Sequence, residues 1–91
     1  MAETLMWEVR CEPGKSFDLA QWLNAEVVSL FEEDEGVAMW NAYRSVGQDG
    51  ERVVLIVDFV GRVEPDIKLP VPPPGLVARP AHQWIFQRLD I

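Results

Sequence analysis

The chain opens on a regular alternation. Leu5, Trp7, Val9 and Cys11 fall at every second position, with Met6, Glu8 and Arg10 between them. That period predicts a strand over Thr4 to Cys11 with one strongly apolar face. Glu12-Pro13-Gly14 then breaks the pattern as a turn does. The period changes next. Phe17, Ala20, Leu23, Val27, Leu30 and Phe31 recur at helical spacing, with Gln21, Glu26, Ser29 and Glu33 opposite, which predicts an amphipathic helix. Ser16 is placed to cap it, Asp18 suits the positive end of its dipole, and Gly36 is the expected stop. Two residues break the stripe, Asn24 on its apolar side and Trp22 on its polar side. A polar group facing a core needs a hydrogen bond, unless Asn24 sits at the stripe's edge and reaches water. An outward Trp22 suggests a contact surface, unless a loop covers it.

Two more strands are predicted, Val37 to Val46 and Arg52 to Val60, joined by GQDGE with Asp49-Gly50 as the hairpin signal. The second reads RVVLIVDFV and is apolar on both faces, the pattern of a central strand covered on both sides. One helix layer covers only one face of a sheet, so the other face calls for a second cover. A homodimer formed through the sheet supplies it. Asp58 interrupts this strand. Pairing with Arg62 or Arg10 is the favoured reading, against a base of raised pKa beside a cavity.

After Gly61 the periodicity fails. Six of the seven prolines fall from Pro65 to Pro80, where a second helix would otherwise be expected. Proline removes helix donors and restricts the residue before it, and PVPPPG favours a polyproline II path. The segment is expected to be ordered and extended, crossing the helix layer, with Leu69, Val71, Leu76 and Val77 making apolar contacts. Any ligand pocket is expected beneath it. Alternation then resumes from His82 to Leu89, with His82, Trp84, Phe86 and Arg88 on one face.

The order is therefore strand, helix, strand, strand, proline-rich crossover, strand, in one domain over residues 1–91. In this order the chain resembles an α+β, ferredoxin-like β-α-β-β-(loop)-β fold with a four-stranded antiparallel sheet and its second helix replaced by a loop. It is similar to the dimeric α+β barrel proteins, the superfamily that includes antibiotic-biosynthesis monooxygenases. RVVLIVDFV and ARPAHQWIF also resemble small actinobacterial proteins of unknown function. The resemblance implies two four-stranded sheets facing each other across a dimer, with helices outside. Monooxygenase members act on apolar polycyclic substrates without bound metal or flavin, and heme-degrading members hold heme between helix and sheet. Both uses involve an Asn and a Trp, sometimes with a His, and the chain carries Asn24, Asn41, Trp7, Trp40, Trp84 and His82.

Charge narrows the partners. The formal net charge is −7, and the longest charge run, Glu32-Glu33-Asp34-Glu35, is acidic. Nucleic acid and anionic membrane surfaces both need clustered cations, so neither is expected. No run reaches the roughly 20 apolar residues of a membrane span, no signal peptide is evident, and a cytoplasmic location is the default expectation. The single cysteine, Cys11, excludes an intramolecular disulfide and any multi-cysteine metal site, and its apolar strand face favours a buried inert thiol over a nucleophile.

No Gly-rich phosphate loop, Ser-His-Asp order or paired-histidine motif occurs. Asn41 and Tyr43 share one strand face and could orient a small ligand. Trp40 and Arg44 share the other and could form a cation–π pair. Ordinary strand packing competes with both. The candidate ligand-binding residues are Asn24, Trp40, His82 and Trp84, with Asn24 orienting a ligand and His82, the only histidine, of a type suited to moving a proton near neutral pH. The expected role is a non-catalytic dimeric module that binds an apolar small molecule or another protein, with no cofactor and no metal. A cofactor-free monooxygenase-like enzyme and a heme-binding relative are the alternatives.

Overall fold

The computed structural model describes residues 2–91. Four strands, β1 (Glu3–Cys11), β2 (Val37–Gly47), β3 (Gly50–Phe59) and β4 (His82–Gln87), form one antiparallel sheet in the order β2-β3-β1-β4. One helical segment runs between β1 and β2 and covers one face of the sheet. This α+β arrangement is compatible with the ferredoxin-like class.

The helical segment has three parts, α1 (Ser16–Leu23), a π-helical turn (Asn24–Val28) and α2 (Ser29–Glu32). Its buried apolar residues are Leu19, Leu23, Val27, Val28 and Phe31. Four of them recur every fourth residue, and four residues overshoot an α-turn of about 3.6. A uniform α-helix would rotate that stripe off the sheet, and the wider π-turn restores it. The expected apolar stripe is corrected at two places. Phe17 and Leu30 are exposed. Asn24, read either as facing the core or as reaching water at the stripe's edge, opens the π-turn on the solvent side. Ser29 donates to the Ala25 carbonyl at 2.9 Å within the same segment.

Ser16 does not cap the helix, because Lys15 holds that position without a side-chain bond. The first turn is closed from a distance. Glu51 on β3 accepts from the Gly14 and Ser16 N–H groups at 2.7 and 3.2 Å. At the other end Asp34 accepts from the Gly36 N–H at 2.8 Å, and its carbonyl accepts from Val37 N–H. One member of the acidic run thus shapes the turn into β2.

The β2–β3 turn is centred on Gln48 and Asp49, with Gly47 facing Gly50. Gly50 takes φ +105 while no described non-glycine residue has positive φ, so Asp49-Gly50 is not the central pair. Ala38 is skipped in the pairing of β2 with β3, a bulge that re-phases the strand.

The core lies between sheet and helix. Leu5, Trp7, Val9 and Cys11 from β1 and Val53, Leu55, Val57 and Phe59 from β3 meet the helix stripe, with Val63 closing one end. Phe31 and Phe59 meet edge to face at 6.3 Å, and Trp22 leans on Trp7 at 6.5 Å. The outward reading of Trp22 is thereby corrected: it is half-buried against the core. Between β3 and β4 the only helical residues are a 3-10 turn, Pro74–Leu76. This segment is tied to β1 by Glu12 N–H to the Leu76 carbonyl (3.0 Å) and Ala78 N–H to the Arg10 carbonyl (2.9 Å), and to β4 by Gln83 Nε2 to the Ile67 carbonyl (2.8 Å). Ile67, Leu69, Leu76 and Val77 pack against the core, whereas Val71, expected among them, is fully open to solvent.

Candidate functional site

The sheet's second face carries no helix, and its composition follows from register. Where β1 turns Leu5, Trp7 and Val9 inward, Thr4, Met6, Glu8 and Arg10 must turn outward. The pairings align them across all four strands. One row reads Met39, Asp58, Thr4, Phe86, the next Asn41, Ile56, Met6, Trp84, and the third Tyr43, Val54, Glu8, His82. A fourth carries Ser45, Arg52 and Arg10. Trp84 and Phe86 are about half exposed, at 45% and 50%, as are Met39 and Tyr43. His82 stacks on Trp84 with ring centroids 6.1 Å apart.

The charges on this face pair with one another. Arg52 sits 3.8 Å from Glu8, and Arg88 sits 2.9 Å from Asp58, which also accepts from the Thr4 hydroxyl at 2.7 Å. The Asp58 partner is thus Arg88 and neither Arg62 nor Arg10. Arg10 instead donates to the Asp49 carbonyl at 2.8 Å. Within a chain of net charge −7, the open face sets two carboxylates against three arginines.

The helix-side face holds a second polar cluster at the start of α1. The Arg44 guanidinium donates to Ser16 Oγ at 2.6 Å and lies 4.0 Å over the Phe17 ring. The cation–π partner of Arg44 is therefore Phe17 and not Trp40, which lies four residues along the same extended strand. Hydrogen bonds from the Ser16 side chain and the Gly14 N–H hold the Glu51 carboxyl below the usual carboxylate range, with Arg44 adding to the effect. Cys11 is buried beside this cluster, and burial, reinforced by Glu51, pushes its thiol up. Such a thiol stays protonated near neutral pH. The cluster ties helix to hairpin.

The four candidate residues do not converge. Asn24 is on the solvent side of the π-turn, Trp40 is half-buried on the helix side, and His82 and Trp84 stand together on the open face. A groove does lie beneath the proline-rich segment, with a volume of about 320 Å3, and Trp7, Leu69, Pro72, Val77 and Gln83 line it. None of the four candidates does. Gln83 carries no chemical signature in the sequence, and its alternation with His82 and Trp84 is the signal that places it opposite them. Met6, Ile56 and Phe86 read as ordinary strand residues, and only cross-strand register gathers them into one surface. Among the described residues no group of three or more His, Cys, Asp or Glu side chains is placed to hold a metal ion, and no helix is long and apolar enough to cross a membrane. No family model matches the chain, and no curated protein or solved structure is significantly similar to it.

Proposed function

We propose that the chain is a binding module that works as a homodimer, its two copies joined through the open faces of their sheets. The observation that carries this is the row-by-row alignment of Met39, Asn41 and Tyr43 with Ile56 and Val54, Met6, and Trp84 and Phe86 on one uncovered surface. Four strands about 4.8 Å apart and four rows about 6.8 Å apart make a flat patch of roughly 500 Å2. Side-chain relief raises the accessible area toward the roughly 800 Å2 per partner of a standard interface. The apolar and aromatic side chains within the patch, set among polar ones such as Asp58, Glu8 and Arg52, support an interaction role. The internal ion pairs remove like-charge repulsion from this face, while the acidic run 32–35 sits at the end of the helix layer. Two copies therefore meet with least repulsion sheet to sheet. Face-to-face sheets are also the assembly of the dimeric α+β barrel proteins that the element order resembles, with the proline-rich segment in the place of a second helix.

Sedimentation equilibrium of the wild-type chain at micromolar concentration tests this. The expected result is twice the mass of one chain, falling to a single chain mass in Trp84→Asp with an unchanged circular dichroism spectrum. A wild-type chain that stays monomeric, or a Trp84→Asp variant that stays dimeric, overturns the reading.

A further inference from the structure

The groove under the proline-rich segment lies on the helix side of the sheet, away from the open face, because its floor is Trp7 and Gln83. The roof is stiff. Pro70, Pro72, Pro73 and Pro74 fix φ and lack N–H donors, so this stretch cannot form an α-helix, and its helical residues are the single 3-10 turn Pro74–Leu76. Both limbs of the segment are pinned, at Ile67 by Gln83 and at Leu76 and Ala78 by the end of β1. At about 320 Å3 the space is at the small end of the roughly 300–1,000 Å3 of small-molecule sites.

The polar side chains along this groove are one cation, Lys68, and one neutral amide, Gln83. Lys68 is the only charged residue that lines it, while Glu64 and Asp66 lie outside it. Lys68 forms no ion pair among the described residues. Trp7 makes no side-chain hydrogen bond, yet no described side-chain nitrogen is both shut off from solvent and without a partner. Its indole nitrogen therefore keeps a little accessible surface, although the residue as a whole is buried. An apolar trough with an unpaired ammonium at its edge complements an apolar body ending in an anionic acceptor. We propose that the groove binds a small amphipathic monocarboxylate, its body against Leu69, Pro72 and Val77 and its carboxylate toward Lys68. The site is independent of the proposed dimer, which uses the opposite face.

The test is titration of the full chain with octanoate, octanol and octylamine, followed by the Trp7 indole N–H resonance (identified with Trp7→Phe) and by calorimetry. Octanoate is expected to shift that resonance saturably and to bind at least about tenfold more tightly than octylamine, a difference of about 1.4 kcal/mol. The exposed Lys68→Glu substitution is expected to remove that preference with the fold intact. The proposal is overturned if millimolar octanoate leaves the Trp7 resonance in place, if octanol or octylamine binds as tightly, or if Lys68→Glu binds octanoate unchanged.

Discussion

The two faces of the sheet are built from the same strands and are treated in opposite ways. On β3, Val53, Leu55 and Val57 are almost completely buried, while their neighbours Val54 and Ile56 are only half-buried. The side chains are of one chemical kind, so the difference is cover. The helix stripe Leu19, Leu23, Val27 and Phe31 lies over the first set, and only flanking side chains shield the second. Apolar character along a strand thus reports that both faces want cover, and the monomer supplies one.

The contrast is broken most directly from the covered side. Leu55→Ala removes a fully buried side chain and is expected to cost about 3 kcal/mol with its cavity, read as a lower urea midpoint. Ile56→Ala, one residue along, is expected to cost the monomer about 1 kcal/mol or less while weakening self-association. Equal losses of monomer stability at the two positions would show that both faces are covered within one chain.

The next largest effect concerns the hinge between helix and hairpin. Glu51 has its carboxyl depressed by hydrogen bonds made only in the fold. Its contribution is thus fully present above the ordinary carboxylate pKa and is lost as pH falls through the lower folded value. Glu51→Gln is expected to lower the melting temperature by a few degrees at neutral pH and to match the wild type at acid pH. A constant gap across the whole pH range would contradict this role.

The smallest effect sharpens the covered side. Cys11, buried and with its thiol pushed up, is expected to resist a disulfide reagent at neutral pH in the folded chain and to react within minutes in denaturant. Rapid labelling of the native protein would show that this end of the core opens readily.

Element type was legible wherever the chain has a clear period. The alternation around Trp7 and the apolar run of β3 predict strands whose observed bounds lie within two residues of those expected, with the end of β1 at Cys11 unchanged. The helix was legible as an element but not in its facing. A spacing of four is read differently by an α-turn and a π-turn, and that choice moved Asn24 to solvent. Partners distant in sequence were also hidden. The Asp58 pair with Arg88 and the Glu51 cap on Ser16 each need register before the two residues can be neighbours.

Which residues seek burial, and which segments are strand, helix or neither, can be read along the chain alone. These are set by side-chain chemistry and by the local stereochemistry of proline and glycine, which act within a few residues. Which side chains share a surface is set by the fold. It put His82 and Trp84 with Met6 and Ile56 on the open face, and Gln83 with Trp7 and Lys68 along the groove. Strand order and register bring together residues tens of positions apart, and a shift of one residue would send every side chain to the other face.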